Sequence, residues 1–183
     1  MKLAVFLIML VGSIHSLESR AMTIEEAYAS IPHKRTVFDL GASRLPRAQA
    51  EGLAQLFALT DRGIMRRVEA MRAFRAGQLN EFRAAMDGYQ ALVGALRTQE
   101  GPAELKPVQD LVLQAVQDHQ RFFEARFKAS NNLATRDLGY TPEVHNASQK
   151  LLAAYRLLMK MFPNEPPVNK AAFFDYLCAL DFL

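Results

Sequence analysis

Leu53, Phe57, Thr60, Ile64, Arg67, Met71 and Phe74 follow one another at steps of four and three. That spacing keeps one face of an α-helix turned toward a common neighbour. The pattern recurs: Phe82, Met86, Tyr89, Val93 and Leu96 over 79–98; Val108, Val112, Ala115, His119, Phe122 and Arg126 over 103–129, widened by Phe123 and Phe127; and Ser148, Leu151, Leu152, Tyr155, Leu158, Met159 and Phe162 over 141–162. A chain with four such stripes has to bury them against one another. No segment alternates with the period of two that a strand needs.

The punctuation between the stripes agrees with this. Thr23 and Glu26 form a capping box for a short helix over 24–30, which Pro32 ends. Gly41 and Pro46 bracket a loop, and Pro46 opens the first long helix, whose last residue is Ala76 because Gly77 supplies a left-handed cap. Gly101-Pro102 separates the second and third helices; Thr141-Pro142 starts the fourth and Pro163 stops it. Phe173, Phe174, Leu177, Cys178 and Leu180 mark a terminal helix over 169–182. Short connections between helices of similar length favour antiparallel neighbours. The expected fold is therefore all-α: an up-down-up-down four-helix bundle with a short N-terminal helix and strap and a C-terminal docking helix.

The chain begins with Lys2 and an uncharged, largely apolar run from Leu3 to Ile14, followed by small and polar residues through Ala21. This is the layout of a secretory signal peptide, too short to span a bilayer as a helix, with cleavage after Ser16 or Ala21. Residues 1–21 are thus read as a leader and 22–183 as one helical-bundle domain, periplasmic or secreted, with no stable membrane span once the leader is gone. The preference for arginine over lysine and the alanine content favour a bacterial periplasm. A single cysteine, Cys178, allows no internal disulfide. The formal net charge of +3 is spread among acids and does not predict nucleic-acid binding.

Thr60, Arg67, Tyr89, His119, Arg126 and Ser148 interrupt the apolar stripes, and a buried polar group without a partner costs about 1–3 kcal/mol. At about 1.5 Å of rise per residue, Arg67, Tyr89 and His119 all fall about 15 Å from the same bundle end. They define a candidate polar layer. Arg67 can reach the surface along its apolar stem, belong to a closed internal network, or line a pocket for a carboxylate or other small anion. A second candidate is the stretch Ser30 to Phe38. There Ile31, Val37 and Phe38 can plug a bundle end while His33, Lys34 and Arg35 stay wet, with Asp39 balancing one charge, or His33 and Arg35 can form an anion- or partner-binding rim.

No catalytic motif is present: G-x-S-x-G, H-E-x-x-H and a glycine-rich phosphate loop are all missing, as is the C-x-x-C-H of covalent haem attachment. The sequence points to a non-catalytic exported bundle that binds a protein partner or a small, anionic ligand without a cofactor. The alternative is a haem- or metal-binding bundle for electron transfer or storage, using His119, His145 and inward methionines such as Met71, Met86 and Met159.

Overall fold

The structure is a computed structural model that describes residues 22–129 and 141–181; the leader and most of the loop before Thr141 lie outside the described residues. The described residues hold helices and turns, with no strand among them. Helix α1 spans Ile24–Tyr28, α2 Arg47–Ala76, α3 Leu79–Thr98, α4 Lys106–Ala129, α5 Pro142–Met161 and α6 Pro167–Leu180, with a single 3-10 turn, Ala103–Leu105, ahead of α4. The ends follow the punctuation. Glu26 N–H donates to Thr23 Oγ1 at 3.2 Å while Thr23 N–H donates to Glu26 Oε2 at 2.8 Å, completing the capping box. Gly77 adopts φ 70° and closes α2 on the carbonyls of Ala73 and Phe74.

Neighbouring helices meet along the predicted stripes. Phe74 of α2 lies 5.9 Å from Phe82 of α3, which in turn stacks on Phe127 of α4 at 5.2 Å. Asp118 of α4 binds Lys150 of α5. Leu53, Phe57, Ile64, Leu92, Val112, Phe122 and Leu158 are sealed from solvent, and at about 25 cal/mol per Å² of apolar surface this core is the main stabilising contribution.

The terminal helix is more than an appendage docked on the outside. Helix α6 packs against both α5 and α2 and buries Phe173, Leu177, Ala179 and Leu180. Its approach to α2 is close: a Cβ on Gly63 would stand 2.9 Å from Leu180 Cδ1 and 3.3 Å from Leu92 Cδ2. Glycine at 63 lets three helices converge there.

The strap departs from expectation in detail. It runs along α2, with Ser30 bonded to Arg72, Arg35 at Asp61, and Phe38 against Phe57 (5.7 Å) and Phe173 (6.0 Å). Phe38 is buried as a plug should be, but Val37 is 56% exposed: in an extended segment successive side chains alternate, so two adjacent residues cannot both face inward. Lys34 is exposed and His33 half-buried, while Arg35 is not left in water. Asp39 does not balance it. Its carboxylate accepts from the N–H groups of Gly41 (2.9 Å) and Ala42 (3.1 Å) instead, an Asx-type turn that shapes the loop before α2.

Candidate functional site

Each polar residue that breaks the stripes has a distinct fate. Thr60 returns its hydroxyl to the Leu56 carbonyl at 3.0 Å, and Ser148 lies 3.1 Å from the Val144 carbonyl and 2.5 Å from Asp181 Oδ1. Arg126 is half-buried with its guanidinium 5.5 Å from the Phe122 ring. Arg67, Tyr89 and His119 are all buried, at 4%, 0% and 0% exposure. Arg67 therefore does not snorkel. Its Nη2 donates to the carbonyl of Ala179 at 3.0 Å, so the acceptor that a buried guanidinium needs comes from the last turn of α6. That turn is the negative end of a helix dipole, and Asp181 just beyond it adds attraction.

The three groups feel one another. Burial lowers the pKa of Arg67, against the pull of Tyr89 and Asp181. Burial and then the Arg67 charge push His119 well below the ordinary histidine range, so its ring is neutral at pH 7. Burial raises the Tyr89 phenol, an effect that the Arg67 charge opposes. Tyr89 packs against Phe123 with ring centroids 5.7 Å apart, and its hydroxyl has no hydrogen-bond partner among the described residues. Chemically the layer offers a buried cation, a phenol O–H and a neutral imidazole, a set suited to binding an anion.

Arg35 joins a different constellation. Its Nη2 donates to Asp61 Oδ2 at 2.7 Å, and Tyr28 donates to Asp61 Oδ1 at 3.3 Å. Burial and then the Asp61 charge raise the phenol of Tyr176 on α6, an effect that the nearby Arg35 charge opposes. The hydrogen bond that Arg35 donates to Asp61 holds Arg35 above its usual value, while Asp61 itself is raised because desolvation outweighs the ion pair. This cluster ties the strap to α2 and α6. His33 sits two residues before Arg35 on the same strap. The rim and the interior layer are thus separate groups of residues, with Arg35 at Asp61 and Arg67 at the end of α6.

Sequence reasoning missed two buried acids, Asp118 and Glu165, and a half-buried one, Asp61. Asp61 follows Thr60, Asp118 precedes His119 and is 1% exposed between Arg121 and Lys150, and Glu165 is 4% exposed in the turn before α6. The Asp118 and Arg121 pair was visible as an i,i+3 spacing. The other two pair across more than 25 positions and left no local mark. Among the described residues no group of three or more His, Cys, Asp or Glu side chains gathers as a metal site, and no helix is long and apolar enough to cross a membrane. His145 faces outward on α5 while His119 is interior, so the two do not share a centre. No protein-family model, curated protein or solved structure matches the chain.

Proposed function

We propose that the chain is an exported, non-catalytic helical bundle that binds a small anion, a carboxylate or an oxyanion, in the interior layer of Arg67, Tyr89 and His119. One observation carries the reading: the Tyr89 hydroxyl is fully buried beside the Arg67 charge and has no hydrogen-bond partner among the described residues. An unpartnered buried hydroxyl costs about 1–3 kcal/mol, and an anion accepting from both the phenol and the guanidinium removes that cost. Because the layer is closed to solvent, binding proceeds through local opening, and the last turn of α6, held by Arg67 through Ala179, is the piece whose release exposes it. The leader at 1–21 supports action in the periplasm or outside the cell.

The test is thermal denaturation and calorimetric titration of purified protein with acetate, succinate, phosphate and sulfate. At least one of these should raise the melting temperature by a few degrees at about a hundredfold excess over its Kd. Tyr89→Phe, which keeps the ring and removes the oxygen, should lose most of that shift, and Arg67→Met all of it. Protein recovered from the periplasm or medium should begin at Leu17 or Met22. Stabilisation of equal size in wild type and both variants, or none by any anion, overturns the reading.

A further inference from the structure

Helix α6 is apolar on more than one side. Phe173, Leu177 and Leu180 face the core, yet Phe174 is 49% exposed and Val168 42%, and on the adjoining face of α5 Leu152 is 39% exposed. Phe174 and Tyr155 meet edge to face at 5.5 Å, so the exposed rings are held in place rather than loose. Between the two helices lies an apolar groove lined by Leu151, Leu152, Tyr155, Phe174, Leu177 and Cys178, with Asp181 at one end. Its volume is about 80 Å³, well under the roughly 300–1,000 Å³ of a small-ligand pocket. A groove of that size accepts one inserted side chain from a protein surface.

We propose that this α5–α6 face is the interface of a symmetric homodimer, with a second copy of the chain as its occupant. The charges at its two edges select that occupant. Exposed Arg156 stands on the α5 edge one turn beyond Leu152, and half-buried Asp175 stands on the α6 edge next to Phe174. A two-fold axis through the groove sets the α5 edge of one copy against the α6 edge of the other, and so sets each Arg156 against the other copy's Asp175. The same operation places an exposed Phe174 over each groove. A face carrying both the apolar knob and the slot for it, with opposite charges on opposite margins, is complementary to itself. Two helices offer a modest area, so association is sought first at micromolar concentrations.

Sedimentation velocity of the purified full chain, from about 1 to 100 µM, should show the mass doubling across the range in which a small interface dissociates. Phe174→Asp removes the knob and its contact with Tyr155, so the variant should keep wild-type helicity with a melting temperature lowered by only a few degrees while the protein stays monomeric throughout. Arg156→Asp and Asp175→Arg should each weaken association by about tenfold or more, and the two together should restore it. A wild-type chain that remains monomeric overturns the proposal and leaves the groove to another protein. A dimer indifferent to Phe174→Asp overturns it as well, and a double exchange that fails to restore association overturns the charge-paired arrangement.

Discussion

His119 is the residue at which solution conditions couple most directly to stability. Its pKa in the folded protein lies well below the ordinary value, first through burial and second through the Arg67 charge, whereas in the unfolded chain it returns to about 6.5. The unfolded state therefore binds the extra proton between those two values. The stability that the neutral ring contributes is complete above pH 6.5 and is lost as pH falls from there toward the folded pKa, at up to about 1.4 kcal/mol per pH unit. Asp61 works in the opposite sense: its folded pKa is raised by burial, so its contribution is present in acid and lost as pH rises through that value. Urea unfolding at pH 5.0 and 7.5 should show wild type losing stability at the lower pH, and His119→Gln should lose distinctly less. Equal losses in the two proteins would mean that His119 does not titrate across folding. That Tyr89 and His119 face inward was legible from the stripe, since each takes the place of an apolar residue, whereas the stripe left open whether the Arg67 guanidinium follows its stem out to water; it is buried. What satisfies Arg67 was not legible, because the acceptor is a backbone carbonyl at Ala179, and a carbonyl has no sequence signature. Asp61 and Asp118 escaped notice for another reason. They sit one position off the stripe, and a helix flanked on two sides by other elements buries more than the single face its period marks.

At the scale of the helix, the ends were readable because caps are local chemistry: Thr23, Gly77 and Pro142 each act within one turn. The place of α6 was not readable. A helix with apolar residues on most sides shows no preferred direction, and only the approach of Leu180 to Gly63 shows that it packs against α2 as well as α5. Two glycines separate packing from propensity. Glycine inside a helix costs roughly 0.5–1 kcal/mol relative to alanine. At Gly94 on α3, an added Cβ meets nothing within 4 Å, so Gly94→Ala should stabilise by about that amount. At Gly63 the new methyl meets fully buried Leu180 and Leu92 at 2.9 and 3.3 Å, and overpacking of this kind costs about 1–3 kcal/mol. Gly63→Ala should be neutral to destabilising by about 2 kcal/mol despite its better helix propensity. Parallel urea melts of the two variants decide the matter, and a stabilised Gly63→Ala would mean that α6 yields at that crossing.

Over the whole molecule, the strap and the α5–α6 turn close the structure although they stand about 130 positions apart in the chain. Asn169, fully buried, accepts from the Asp39 N–H at 2.8 Å and donates to the Asp39 carbonyl at 3.1 Å, pairing with that backbone as a neighbouring strand would, and it also donates to Glu165 Oε2 at 2.7 Å. Glu165 in turn accepts from the Arg44 N–H at 2.6 Å and the Ser43 hydroxyl at 3.1 Å. Two side chains thus satisfy the polar backbone of a loop that lies where the core ends, and the Asp61 cluster repeats the tie halfway along α2. Neither tie could be read beforehand, since an asparagine in the first turn of a helix looks like any other polar first-turn residue until its distant partner is known. If these ties make the strap and α6 one cooperative unit, breaking one should loosen both. Asn169→Ala removes a partner from the part-buried backbone of Asp39 and from the buried Glu165 carboxylate, which keeps Ser43 and the Arg44 N–H, so a loss of about 1–3 kcal/mol is expected. Amide hydrogen exchange should then quicken together at 39–45 and along α6, because the last turn of α6 also carries the Arg67 contact. Faster exchange at 39–45 alone would make the strap a local clasp, and opening of the interior layer would then have to begin somewhere other than α6.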